Sequence, residues 1–295
     1  MRRSRLRILL TAALLVATRL TGGADAQELP RLSPAATVAQ TVGVTRVEIT
    51  YGRPAVRGRT IWGELVPWNE VWRTGANEAT TISFSHDVRV DGRDLAAGRY
   101  ALFTIPGETE WTVIFNRRSE QWGASDYDPE QDALGILVKP RSTAFRERFE
   151  VGFPEVGTDT LLVSMRWAQT EIPFTVQVDL ETTAVAKARA FVAAAGPSDG
   201  QAVWNWANYL YQQGWNLEEA LGWAKTLADQ APMYSTHALK ARLLAKTGRF
   251  AQATAAARAA VERAAAEADQ PAVAADLENL ERELAGWAED ATDPG

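Results

Sequence analysis

The chain has no cysteine, only two histidines, and no apolar run long enough to cross a bilayer. Each absence removes a class of function. Without cysteine there are no disulfides, thiolate nucleophiles, iron–sulfur clusters or cysteine-ligated zinc. With only His86 and His237, the usual general base has two possible positions. His86 stands beside Asp87 in SFSHD, readable as a catalytic dyad or as a turn at a strand end. His237 falls on a helix and reads as structural. There is no G-x-S-x-G elbow and no H-E-x-x-H pair, so neither a serine triad nor a zinc protease is indicated. Basic residues are outnumbered, with 31 Lys and Arg against 37 Asp and Glu. An acidic chain is a poor match for nucleic acid, where affinity comes from Lys and Arg on phosphate.

What is present begins with an export signal over residues 1–26. Arg2, Arg3, Arg5 and Arg7 form a basic start, Ile8 to Ala17 an apolar run, and Ala24-Asp25-Ala26 a small-x-small cleavage pattern. The signal places the protein in the periplasm or outside the cell. With no cysteine after it, a lipid anchor is excluded. The signal holds five Arg and one Asp, so its removal takes the formal charge from −6 to about −10. No later stretch qualifies as a transmembrane helix.

Composition shifts near residue 182. Before it, short runs of Val, Ile, Thr, Phe and Trp alternate with polar residues and are separated by Gly and Pro. Val44–Tyr51, Tyr100–Ile105, Trp111–Phe115, Leu134–Val138, Glu147–Phe153, Thr160–Trp167 and Phe174–Leu180 are the clearest. Eight or nine such runs predict an antiparallel β-sandwich, or a flattened barrel, over 27–182. Pro173 is expected at the start of its strand, where a missing N–H is tolerated. After 182 alanine dominates and the period becomes helical. Helices are expected at 183–195, 201–213, 217–230, 234–247, 250–267 and 271–288. In this reading 183–200 is a connecting helix and linker, 201–288 a helical-repeat domain and 289–295 a disordered tail. The fold class is therefore α+β multidomain, with an N-terminal antiparallel β-sandwich followed by a C-terminal all-α helical-repeat domain. Trp204, Trp206, Trp215 and Trp223 lie at helical spacing and are assigned to packing.

The stretch Tyr51–Thr81 stands out. It carries Trp62, Trp68 and Trp72, the arginines Arg53, Arg57, Arg59 and Arg73, and the pair Asn77-Glu78. Indoles need partners for their rings and N–H groups, so this is read as an ordered loop folded onto the sheet. Arg53, Arg59, Trp72, Arg73, Asn77 and Glu78 form the candidate ligand-binding set. Guanidinium forks suit carboxylate, phosphate or sugar hydroxyls, and indoles stack on sugars or cations. An acidic glycan or a peptide carboxylate is the ligand this combination suits. The same residues also fit an internal Arg–Glu network that pins the loop to the sheet. Asp126, Asp128, Glu130 and Asp132 alternate in SDYDPEQDALG and are the candidate metal set. A curled loop with that spacing can surround calcium, although the EF-hand pattern is not met; otherwise it is a solvated acidic loop.

Two resemblances follow from these residues. YGRPAVRGRTIWG (51–63), VWRTGANEATTI (71–82), LAAGRYALFTIPG (95–107), WTVIFN (111–116) and QWG (121–123) resemble an exported bacterial family, domain of unknown function 2911. The likeness covers roughly residues 30–180. It implies export and a two-part architecture and names no catalytic residue. Gly214 and Gly248 stand 34 residues apart in similar surroundings. That spacing resembles the tetratricopeptide repeat, with flanking helices as caps.

Three functions remain open at this point. One is a non-enzymatic module binding an envelope protein or glycan. Another is a glycan hydrolase pairing Glu78 with Glu64 or Glu70. A third is a structural subunit whose strand edge or segment 27–40 pairs with another copy, making a homo-oligomer.

Overall fold

A computed structural model describes residues 30–267 and 271–290. The export signal read at 1–26 lies outside the described residues. Ten strands come first: β1 (Ala35–Val42), β2 (Thr45–Gly52), β3 (Thr80–Phe84), β4 (Val88–Val90), β5 (Arg93–Leu95), β6 (Gly98–Ile105), β7 (Trp111–Asn116), β8 (Asp132–Val138), β9 (Arg141–Val156) and β10 (Thr160–Val178). They form a six-stranded sheet in the order β1-β2-β3-β6-β7-β8 and a four-stranded sheet in the order β5-β4-β10-β9. Every ladder is antiparallel.

Alternation decides which face each strand buries. On β2, Val47 and Ile49 are fully buried while Arg46 is exposed and Glu48 and Thr50 are half-buried. On β3, Ile82 packs inward, and its neighbour Thr81 faces the outside of the sheet beside Thr50. The inner faces meet in one core that includes Ile49, Ile82, Leu102, Phe115, Phe149, Val163 and Phe174. Phe115 and Phe174 touch edge to face across it, with ring centres 5.8 Å apart.

Two details differ from the expected strands, and the turn at Asp91-Gly92 falls where its sequence signals it. Thr160–Trp167 and Phe174–Leu180 are one strand, β10. It pairs with β9 up to Glu171 and with β4 from Val176. Pro173 thus lies inside β10, at the change of partner, where no ladder bond is asked of it. Much of segment 27–40 is β1, paired along its whole length with β2 of the same chain. The DG turn joins β4 to β5, with Asp91 and Gly92 at φ of 44° and 79°.

Asp179 ends the β domain. Its carboxylate accepts a 3.0 Å bond from the N–H of Thr182 and starts a helix. Six helices follow: α1 (Leu180–Ala194), α2 (Gly200–Gln213), α3 (Leu217–Gln230), α4 (Tyr234–Lys246), α5 (Phe250–Ala264) and α6 (Pro271–Asp290). A short 3₁₀ turn, Pro197–Asp199, fills the GPSDG stretch. Alanines Ala241, Ala253, Ala257 and Ala260 are fully buried between helices and let the backbones approach closely. Gly214 and Gly248 have φ of 78° and 76° at the ends of α2 and α4, where a left-handed residue closes a helix. Trp204, Trp215 and Trp223 pack against this second core, as assigned. Helix α6 runs two residues into the stretch read as a tail, and 291–295 lie outside the described residues. No described helix is long and apolar enough to cross a membrane.

Candidate functional site

Of the three indoles in the Tyr51–Thr81 loop, Trp72 is buried and Trp62 and Trp68 are half-buried. Trp72 enters the space between the sheets and stacks on Trp167, with centres 5.8 Å apart and planes 16° from parallel. Trp62 meets Trp72, Trp111 and Trp167 edge to face at 5.7, 4.8 and 5.7 Å. Only about 10 Å³ of void remains among these rings. The main chain of Trp72 exchanges two bonds with Thr104, of 2.8 and 2.9 Å, so the loop acts there as a short extra strand on β6. Its indole N–H donates to the carbonyl of Gly75 at 3.1 Å. Trp72 is therefore a wedge in the core and not a ligand platform.

The arginines also serve the loop itself. Arg53 donates to the carbonyl of Phe149 on β9. Arg59 donates to the carbonyls of Val56 and Ala55 and closes the turn before Trp62. Arg73 is half-buried, and its Nε has no hydrogen-bond partner among the described residues. Burial lowers its pKa from the ordinary value. The structure does not bring Arg53, Arg59 and Arg73 together with Glu78.

Asn77 and Glu78 do reach a cleft. It lies on the outer face of the six-stranded sheet and has a volume of about 780 Å³. Thr50, Thr81 and Arg99 come from the strands. Pro30, Arg31 and Pro34 come from the segment before β1, and Ser119 to Trp122 from the loop after β7. Two bonds tie the loops to each other: Ala79 N–H to the carbonyl of Gln121 at 3.0 Å, and Gly123 N–H to that of Asn77 at 3.2 Å. Trp122 is clamped between them, yet 62% of it stays exposed. Asn77 adopts φ of 66° and donates to the carbonyl of Ser33 at 2.9 Å. Arg31 grips both oxygens of Glu78 at 2.8 Å. That hydrogen bond holds the Glu78 carboxyl below its ordinary pKa.

The positive-φ turn through Thr74, Gly75 and Asn77 is set by a backbone contact. A Cβ on Gly52 would lie 2.1 Å from the carbonyl oxygen of Ala76. Gly52→Ala is expected to destabilise the protein by about 1–3 kcal/mol, because the 75–79 turn must move. Urea unfolding checks this, and an unchanged midpoint would show that the turn yields without cost.

The structure does not gather the acidic run into one cluster. Among the described residues no three His, Asp or Glu side chains converge. Asp128 caps the Pro129–Gln131 turn by accepting from Glu130 N–H at 3.0 Å. Asp132 accepts from Asn116 and from the Tyr127 hydroxyl, at 2.8 and 2.7 Å. Burial, then that bond, pushes the Tyr127 phenol well above its ordinary pKa. Asp126 and Glu130 join neither set of bonds with their carboxylates, so the expected calcium loop is instead the anchor of the 117–132 loop. Glu64 and Glu70, the expected hydrolytic partners of Glu78, do not line the cleft; Glu78 is closed on Arg31, and the other carboxylate on the lining is Glu120. His86 contacts Thr45 and Ser85 through Nδ1, while Asp87 accepts from Ala97 N–H. The two do not form a dyad.

Comparison with known proteins finds a match over the β half of the chain. Residues 33–176 match the family described as Protein of unknown function (DUF2911). No curated protein and no solved structure matches the chain. The DUF2911 match runs from just before β1 to two residues short of the end of β10, so nearly all of the cleft belongs to it. Trp122, Gln121, Arg99 and Arg31 are cleft residues that the sequence did not point out as such. The QWG string of the DUF2911 likeness contains two of them. The signal that was there is a tryptophan flanked by Gln and Gly outside any apolar alternation.

Proposed function

We propose that this protein is an exported, non-enzymatic binding module whose ligand sits in the cleft beside Asn77, Glu78 and Trp122. One observation carries the reading: a 62% exposed indole is held on a rim whose backbone is bonded on both flanks. A rigid exposed aromatic beside polar groups is the usual form of a recognition surface. The helical half is read as two tetratricopeptide-like repeats, α2 with α3 and α4 with α5, capped by α1 and α6. The left-handed glycines Gly214 and Gly248 at one repeat spacing support this. In that reading the helices offer a surface to an envelope protein.

A thermal-shift screen of envelope glycans, muropeptides and small carboxylates tests the cleft. A ligand at a hundred times its Kd stabilises the native state by about 2.7 kcal/mol, a shift of several degrees. The shift is expected to fall to about half in Trp122→Ala, as a tenfold weaker ligand gives. A ligand whose shift is unchanged by that substitution binds elsewhere and removes the proposal, as does a panel with no shift at all.

A further inference from the structure

We propose that the ligand of this cleft is a pyranose carrying one carboxylate, an acidic sugar unit of a glycan; this rests on reading the cleft as the binding site. The strand face beneath Trp122 is built of hydroxyls and one guanidinium. Thr81 accepts from Arg99 Nη2 at 3.2 Å, and Thr50 shares a 3.0 Å bond with Thr37. Each hydroxyl retains a further donor or acceptor position, which a sugar hydroxyl can match from either side. Gln121 is 8% exposed; its amide nitrogen donates to Asn116 and Arg118, and its Oε1 has no partner among the described residues. That acceptor lacks a donor but is itself buried, so a ligand hydroxyl reaches it only if the Gln121 side chain turns toward the cleft.

Trp122 fixes the shape of the ligand. Its ring offers a flat apolar face to the C–H face of a pyranose. The polar residues of the cleft meet the hydroxyls around the sugar's rim. An extended peptide fits less well. The two chain segments at the rim already bond to each other through Ala79 with Gln121 and through Gly123 with Asn77. The strand edge left at the cleft is that of β1, reached through Ala35, and the peptide probe below tests it.

Charge fixes the rest. Arg31 is neutralised by Glu78, at 2.8 Å. Arg99 forms no ion pair among the described residues, so its guanidinium, bonded to Thr81 through Nη2, has donors left for a carboxylate. With Glu120 also on the cleft, the lining carries two Arg and two Glu, a balance that disfavours densely charged polymers and leaves Arg99 as the lining arginine without an ion pair among the described residues.

The test uses the purified protein with fluorinated tryptophan, the Trp122 signal being assigned by its loss in Trp122→Phe. The probes are a glucuronate-containing tetrasaccharide, neutral tetra-N-acetylchitotetraose, and an acetylated tripeptide with a free carboxylate. The glucuronate probe is expected to move the Trp122 signal and to bind about tenfold tighter than the neutral one by calorimetry. Arg99→Gln is expected to erase that difference, and Trp122→Ala to weaken both sugars about tenfold, with Tm unchanged in each variant. If the peptide or the neutral sugar moves the Trp122 signal and binds as tightly as the glucuronate probe, the acidic-sugar assignment falls and the binding cleft stands. If no probe moves it, the cleft falls with the assignment.

Discussion

Trp72→Ala is expected to cost about 3–5 kcal/mol, the range for removing a large buried aromatic. Trp72 is only 9% exposed and touches Trp62, Phe149 and Trp167 at 5.7, 5.5 and 5.8 Å. These rings come from the loop and from β9 and β10, so little can collapse into the space. The indole also satisfies the carbonyl of Gly75, which would be left without its donor. The same change is expected to loosen the 73–79 turn that carries Asn77 and Glu78 to the cleft. Urea unfolding measures the cost. Leu65→Ala in the same loop is the control: Leu65 is 43% exposed, and the change should fall within about 0.5 kcal/mol. A Trp72→Ala loss below about 1 kcal/mol would mean the loop is not held by its indoles.

Asp276→Ala is expected to release α6 from α4. The Arg242 side chain is 17% exposed and donates to both oxygens of Asp276 and to Glu283, over 2.8–2.9 Å. The Tyr234 hydroxyl adds a 3.0 Å bond to Asp276. Removing Asp276 leaves a largely buried guanidinium with one partner. A fully buried broken pair costs about 3–5 kcal/mol, and partial exposure of the carboxylates reduces this to about 2 kcal/mol. Burial works to raise the Asp276 pKa, but the hydrogen bond and charge of Arg242 outweigh it and lower it. A depressed carboxyl stabilises the fold above its ordinary value and loses that contribution as pH falls through its folded value. Acid below the ordinary value of 3.8 should therefore act like the substitution. Amide exchange across Pro271–Asp290 reads both effects. Unchanged protection in Asp276→Ala would show that apolar contacts alone hold the helix.

Several parts of this molecule were legible in the sequence. Strand alternation located most of the β elements, because side chains on a half-buried sheet must alternate. The change to helical period after the last strand, the Asp-Gly turn between β4 and β5 and the two glycines closing α2 and α4 are also local features. So is the family likeness over the β domain, which residues 33–176 match. Each depends on residues close in sequence, where propensity and period are set by covalent geometry.

The use of the tryptophans and charges was decided elsewhere. Trp72 and Trp122 are both indoles in glycine-containing loops, yet one is a core wedge and the other an exposed rim. The difference comes from what faces them. The β9–β10 hairpin surrounds Trp72, whereas Trp122 lies over the solvent side of the six-stranded sheet. Glu78 is likewise paired with Arg31, 47 residues away, and not with a carboxylate of its own loop. Asp132 is taken by Asn116 and Tyr127, so an alternating acidic string became an anchor and not a metal loop. Local pattern determined the elements and their buried faces. Only the packing of sheet on sheet, and of loops on the outer face, determined which polar and aromatic groups remain available to a ligand. That choice depends on partners distant in the chain, which no local period encodes.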